Sequence, residues 1–274
     1  MKITIVGLGI IGGSYAKGLS MKGYEVYGVD KDLDTIKYAM ENGFIKHGET
    51  TPRNLIPMAD MVIIGLYPSA IIPFIKENLS LFKKGQVVTD VCGVKGPICY
   101  EATKLLGETL FVGSHPMAGR EKVGIKFADE KIFKGTNFLI CPIEGTSEVA
   151  VSKVVEIAEA LEFGKIHKIT PEFHDEMIAY TSQLTHAIAV SLVNVSDTEE
   201  TKKFIGDSYR DLTRIAMINE KLWSELFLDN KAALINEIEM FQKELEVVKN
   251  AIFSENISVL EEKFISSRKK REVM

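Results

Sequence analysis

At 274 residues, with 46% apolar and 26% charged side chains, the chain has globular composition and enough length for two domains. A formal net charge of -5, from 33 basic and 38 acidic residues, excludes the cationic surface on which nucleic-acid affinity depends. Three cysteines (Cys92, Cys99, Cys141), none in a C-x-x-C pair, are too few for a disulfide framework, and no apolar run is long enough to span a bilayer or form a secretory leader; the expectation is a soluble cytoplasmic protein.

The first 170 residues alternate short β-branched runs with helical stretches, the pattern of a parallel sheet covered by helices on both faces. Strands are predicted near 2–6, 25–29, 61–65, 86–90, 110–113, 137–141 and 164–168. Runs such as Met61-Val62-Ile63-Ile64 are apolar without alternation, as for strands buried on both sides. Directly after the first strand, Gly7-Leu8-Gly9-Ile10-Ile11-Gly12 forms a G-x-G-x-x-G that opens a helix. The first glycine permits the tight turn, the second lets a pyrophosphate approach the backbone, and the third allows close helix–strand packing. Asp30 ends the next strand, eighteen residues after Gly12, where a carboxylate accepts hydrogen bonds from ribose hydroxyls and repels a 2′-phosphate. A dinucleotide site follows, with NAD favoured over NADP.

In an open α/β sheet, ligands bind beyond the carboxyl ends of the strands. Only the strand at 110–113 brings an imidazole there, in Gly113-Ser114-His115-Pro116-Met117-Ala118-Gly119-Arg120-Glu121, and imidazole is the usual proton carrier near neutral pH. Cys92 has no evident activating base and reads as a small apolar residue. No His/Cys/Asp cluster has metal-ligand spacing, so no metal is expected.

After Thr170 the character changes. Thr170-Pro171-Glu172 supplies an N-cap, a first-turn proline and a first-turn acid, and beyond it there is no further proline and one glycine, Gly206, so the remainder is expected to be helical. The segment Ala187 to Val195 is apolar nearly all round, which predicts burial in a core or a subunit interface. A break is predicted near Ser254-Glu255-Asn256. On the helical part lie His174-Asp175, Ser182 and His186 four apart on one face, and Asp211 and Arg214 three apart; the Arg214 guanidinium suits bidentate capture of a carboxylate. The chain is thus expected to be α/β, a dinucleotide-binding domain over 1–170 followed by a helical domain over 171–274.

Four blocks taken together resemble the prephenate dehydrogenase and arogenate dehydrogenase family: Thr89-Asp90-Val91-Cys92-Gly93-Val94-Lys95, the His115-Pro116-Met117-Ala118-Gly119 block, His174-Asp175 with Ser182-Gln183-Leu184-Thr185-His186, and Asp211-Leu212-Thr213-Arg214-Ile215-Ala216. The resemblance implies a Rossmann-like NAD domain and a helical substrate and dimerisation domain, acting in tyrosine biosynthesis on prephenate or arogenate as a homodimer. It also implies that His115 faces the ring hydroxyl of the substrate, and that Glu121, His186 and Arg214 line the substrate pocket. Some members carry a substrate-contacting serine in the Thr89 block, where this chain has Gly93.

Two other functions compete. A β-hydroxyacid dehydrogenase places a catalytic lysine on the first long helix of its helical domain, and residues 171–201 contain none. A non-enzymatic nicotinamide sensor needs the Gly7-to-Asp30 features but not His115, His186 and Arg214.

Overall fold

The computed structural model describes residues 1–107, 110–120, 122–195 and 199–273. Eight strands form one sheet in the order β3-β2-β1-β4-β5-β6-β7-β8. They are β1 (Lys2–Val6), β2 (Glu25–Val29), β3 (His47–Glu49), β4 (Met61–Ile64), β5 (Val87–Asp90), β6 (Leu110–Pro116), β7 (Phe138–Cys141) and β8 (Ile166–Lys168). The first six follow the doubly wound order of a Rossmann-like sheet, whose direction of winding reverses between β1 and β4 and opens a crevice there. Helices α1 (Ile10–Met21), α2 (Leu33–Glu41), α3 (Leu55–Met58), α4 (Pro68–Glu77), α5 (Gly96–Leu106) and α6 (Glu148–Ala160) accompany the sheet.

The apolar strand runs are buried on both faces because successive side chains feed two different cores. Ile3, Ile5, Met61, Ile63 and Val87 join one, with Tyr15 and Leu19 of α1 and Val154 and Ile157 of α6. Val6, Val62, Ile64 and Val88 join the other, with Ile71 and Ile75 of α4 and Ile98 of α5.

Two features depart from the strands expected from sequence. A short edge strand, β3, adds parallel to β2, and β7 runs antiparallel to β6. Parallel pairing requires a crossover of about a dozen residues, normally a helix, and between β6 and β7 only two short turns, Ile125–Phe127 and Glu130–Ile132, are present among the described residues. The parallel register of β5 and β6 stops at Thr89 opposite Val112. From Gly113 to Pro116, β6 pairs with β7 alone, so His115 stands beyond the carboxyl end of the parallel sheet.

Beyond β8 all regular structure in the described residues is helical: α7 (Pro171–Ile178), a wider π-helical turn (Ala179–Gln183), α8 (Leu184–Val195), a tight turn (Glu199–Lys203), α9 (Asp207–Thr213), a second tight turn (Arg214–Ala216), α10 (Glu220–Asp229), α11 (Lys231–Phe253) and α12 (Ile257–Glu272). Thr170 caps α7 as its position suggested, its Oγ1 accepting from Phe173 N at 3.2 Å. The break at 254–256 is also present, with Glu255 in the left-handed region at φ 53° and Asn256 capping α12. The chain divides into two compact units, Met1–Asn230 and Lys231–Met274. In the first, Leu226 of α10 belongs to the second sheet core, and α10 is tied to the start of α4 by Ser69 N donating to Glu225 Oε2 at 3.0 Å and Asn219 Nδ2 donating to the Tyr67 hydroxyl at 3.0 Å.

No helix among the described residues is long and apolar enough to cross a membrane. The Ala187–Val195 stretch does not lie in the core of its own chain: α8 buries Leu184 and Ala189, while Val193 is 38% and Val195 83% exposed.

Candidate active site

The glycine loop has the shape a dinucleotide needs. Gly7 has φ +88°, and a Cβ there would lie 2.5 Å from Gly65 O, while at Gly12 it would lie 1.9 Å from Gly7 O; no side chain fits at either position. At Gly9 a Cβ would meet nothing within 4 Å, so backbone is open to an approaching group. Gly9 is the N-cap of α1 and has no capping side chain, which leaves the first-turn N–H groups of Ile10, Ile11 and Gly12 without intrahelical acceptors. These donors and the positive helix end suit a pyrophosphate. Asp30 follows β2; its Oδ2 accepts from Leu8 N at 2.7 Å and its Oδ1 from Asp32 N at 3.0 Å, so the carboxylate is oriented by the loop it serves.

The imidazole of His115 lies on the α5 side of β6. Gly113, two residues earlier on the same strand face, shows how close that helix comes: a Cβ there would lie 2.4 Å from Cys99 Sγ and 3.3 Å from Lys95 Cδ. His115 Nδ1 is 2.8 Å from His174 Nε2 on α7, and His174 Nδ1 is 2.7 Å from Asp175 Oδ1. The remaining nitrogen of His115, Nε2, faces Gly93, where a Cβ would be 3.8 Å from it and 3.1 Å from Leu226 Cδ2. Burial, then His174, then Lys95 hold the imidazole well below the ordinary histidine range, so it is neutral at pH 7.

Beneath it lies a buried ion pair that sequence reading passed over. Lys95 Nζ donates to Asp90 Oδ2, and both side chains are 0% exposed. Asp90 also accepts from Cys92 N at 2.9 Å and Ser114 N at 3.3 Å. Burial is the largest influence and opposes the lysine charge, but Asp90, with smaller contributions from Cys92 and Cys99, turns the net shift upward. The thiol of Cys92 is pushed up to about 12, chiefly by burial, which keeps it protonated and inert.

His186 and Arg214 lie in the helical part. The His186 ring donates from Nδ1 to Ser182 O at 2.9 Å and stacks on Trp223, with centroids 3.6 Å apart. Trp223 and Leu226 are three apart on α10 and share a face, which links the His186 stack to the wall beside Gly93. Arg214 begins the turn after α9, and that turn packs against α8, the helix carrying His186. Arg120 is engaged by Asp129, Nη2 to Oδ2 at 2.7 Å. Glu121 lies outside the described residues. Among the described residues no group of three or more His, Cys, Asp or Glu side chains is arranged to hold a metal ion. Sequence reading noted His174-Asp175 but not its link to His115; the only signal for it was an acid directly following a histidine at a helix start.

The family model for the prephenate dehydrogenase nucleotide-binding domain matches residues 15–166, and that for the prephenate dehydrogenase dimerization domain matches residues 170–265. The prephenate dehydrogenase of Bacillus subtilis is 26% identical over 263 residues, covering 93% of this chain and 71% of that protein. A crystal structure of prephenate dehydrogenase from A. aeolicus, in complex with hydroxyphenyl propionate and NAD+, superposes with a TM-score of 0.91 at 30% identity, covering 100% of this chain and 98% of that one. Synechocystis arogenate dehydrogenase gives a TM-score of 0.85 at 25% identity, with 99% of each chain covered.

Proposed function

Because the chain belongs to the prephenate dehydrogenase family, we propose that it oxidatively decarboxylates prephenate with NAD to 4-hydroxyphenylpyruvate, with His115 as the proton carrier. The observation that carries the residue assignment is the orientation of His115 beyond the carboxyl end of the parallel sheet: Nδ1 is tied to His174, and Nε2 faces Gly93. Gly7, Gly9, Ile10, Ile11 and Gly12 would hold the pyrophosphate of NAD, and Asp30 the adenosine ribose. Bound NAD supplies the acceptor for the substrate's hydride.

Prephenate bears a hydrogen and a hydroxyl on ring C4 and a carboxylate on C1. As the C4 hydride departs, the hydroxyl proton passes to His115 Nε2. Loss of CO2 from C1 sends its electron pair into the ring, and the phenolate oxygen that results recovers the proton from His115. The imidazole therefore ends the cycle as it began, and aromatisation provides the driving force. Arg214, His186 and Glu121 are assigned to the substrate pocket, with Arg214 as carboxylate anchor. Arogenate, whose side chain ends in an amino instead of a keto group, is the second reading, on the match to an arogenate dehydrogenase. The test is NADH formation on adding each compound to the protein with NAD. Turnover of prephenate is expected, and turnover of neither sinks the proposal.

The division of labour falls at residue 170, with 1–170 binding the dinucleotide and 171–274 serving substrate and a homodimer interface. The homodimer is supported by the exposed apolar end of α8 and by the dimerization-domain match; a monomer in light scattering at micromolar concentration counts against it. Three unpaired, buried thiols suit a reducing cytoplasm, which fails as a location if fractionation finds the chain elsewhere.

Two substitutions test the binding assignments. Arg214→Ala is expected to raise the substrate KM by about ten- to a hundredfold, the equivalent of one charge-assisted contact, with little effect on the KM for NAD. An unchanged substrate KM returns Arg214 to a structural role. Asp30→Ser is expected to weaken NAD and to narrow its advantage over NADP. Because Asp30 also holds Leu8 N, the loop loosens as well, and NADP does not gain what NAD loses. Equal use of both cofactors by the unaltered protein contradicts the assignment.

A further inference from the structure

We propose that His174 and Asp175 are positioning residues for this reaction: they hold His115 in the single tautomer that leaves Nε2 unprotonated, and they share the charge His115 acquires when it takes up a proton. This rests on the reading of His115 as proton carrier.

The chain of donors and acceptors admits one assignment. Asp175 Oδ1 accepts from Lys95 N at 2.9 Å and Oδ2 from Gly96 N at 2.8 Å, at the start of α5. Lys95, the N-cap of α5, makes no side-chain cap bond, so a carboxylate from a helix some eighty residues later in the chain performs that task. An ionised carboxylate only accepts, so the hydrogen between Asp175 and His174 sits on His174 Nδ1. His174 is 0% exposed, and burial is the largest influence on its ring, lowering its proton affinity against the upward pull of Asp175. The ring is therefore neutral, and its Nε2 carries a lone pair. His115 Nδ1, 2.8 Å away, must be the donor, which places the lone pair of His115 on Nε2, toward Gly93.

When Nε2 takes the hydroxyl proton, the imidazolium that forms keeps its Nδ1–H directed at His174, whose own Nδ1–H is directed at Asp175. The positive charge is thus stabilised through a second ring by a carboxylate fixed on two backbone N–H groups, an extended form of the acid–imidazole pairing that orients other catalytic histidines. The relay is itself held in register: Asn230 Nδ2 donates to Asp175 O at 2.8 Å and to Gln183 Oε1 at 2.8 Å, and Gln183 Nε2 donates to Leu226 O at 2.8 Å. The π-helical turn that carries Gln183 joins α7 to α8 and so ties the relay to α10, whose Leu226 lies beside Gly93.

The protein has five histidines, so long-range proton–nitrogen NMR of 15N-histidine-labelled protein resolves each ring. The unaltered protein at neutral pH is expected to show His115 protonated at Nδ1 and bare at Nε2; a ring protonated at Nε2 overturns the proposal without reference to any variant. His174→Phe keeps an aromatic ring, somewhat larger than imidazole, and removes both nitrogens. It is expected to release His115 into a mixture of tautomers and to lower kcat by about 10²-fold, with KM for NAD and substrate little changed. His174→Gln, whose amide donates and accepts, is expected to restore part of kcat. A folded His174→Phe protein with full turnover and an unmoved His115 tautomer also overturns the proposal. Absence of turnover by the unaltered protein on either substrate would instead remove the functional reading, and the spectrum would still report the tautomer.

Discussion

Replacing His115 with asparagine is expected to lower kcat by about 10²- to 10⁴-fold, the usual contribution of a positioned acid–base group. Asparagine retains hydrogen-bonding capacity but has no lone pair of comparable basicity at the place of Nε2. Affinity for NADH should be nearly unchanged, because the pyrophosphate and ribose contacts lie at Gly7 to Gly12 and Asp30. The pH profile carries the sharper signature. Activity requires the neutral ring, so it is lost as pH falls through the pKa of His115. Sequence alone places that limb near the reference histidine value of about 6.5, but burial, His174 and Lys95 depress it, and the limb should appear well below that value. Turnover should accordingly be flat through neutrality, and in the asparagine variant the limb should vanish. A variant with near wild-type turnover and the same acidic limb removes His115 from the mechanism.

What could be read before the fold was known was local in the chain. The glycine loop, Asp30, the histidine at the end of its strand and the helix start at Thr170 each depend on a few neighbouring residues with fixed spacing, and the structure places them where those spacings imply. The parts that were not legible depend on long-range placement. An apolar strand such as Phe138–Cys141 reads the same in either direction, and its antiparallel course goes with the lack of a crossover helix among the described residues before it. The three residues of β3, His47–Glu49, have no apolar alternation to reveal an edge strand. His115 and His174 are 59 residues apart and meet through tertiary packing, in which Asp175 also caps the start of α5. Lys95 and Asp90 stand five residues apart in one block, but their full burial as a pair is visible only in the fold.

Lys95→Met is expected to destabilise the protein by about 3–5 kcal/mol, because it removes one partner of a fully buried ion pair and leaves the Asp90 charge uncompensated. The cost does not reach the full desolvation of a carboxylate, since Asp90 retains the backbone donors Cys92 N and Ser114 N. Adding Asp90→Asn to Lys95→Met should recover part of the loss, as the two residues interact directly and their effects do not add. The single tryptophan, Trp223, stacked on His186, makes fluorescence a reporter of the Met1–Asn230 unit, so urea midpoints at constant slope give the comparison. A loss below about 1 kcal/mol would place this pair with those that contribute little. The same substitution bears on catalysis. Lys95 is one of the charges that disfavour protonation of His115, so its removal should let the imidazole protonate more readily. In the Lys95→Met protein the acidic limb of kcat should therefore move up toward neutral pH, while the backbone N–H of residue 95, which holds Asp175, stays in place. A limb that does not move, in a variant that folds, would show that the buried lysine supports the fold without tuning the histidine above it.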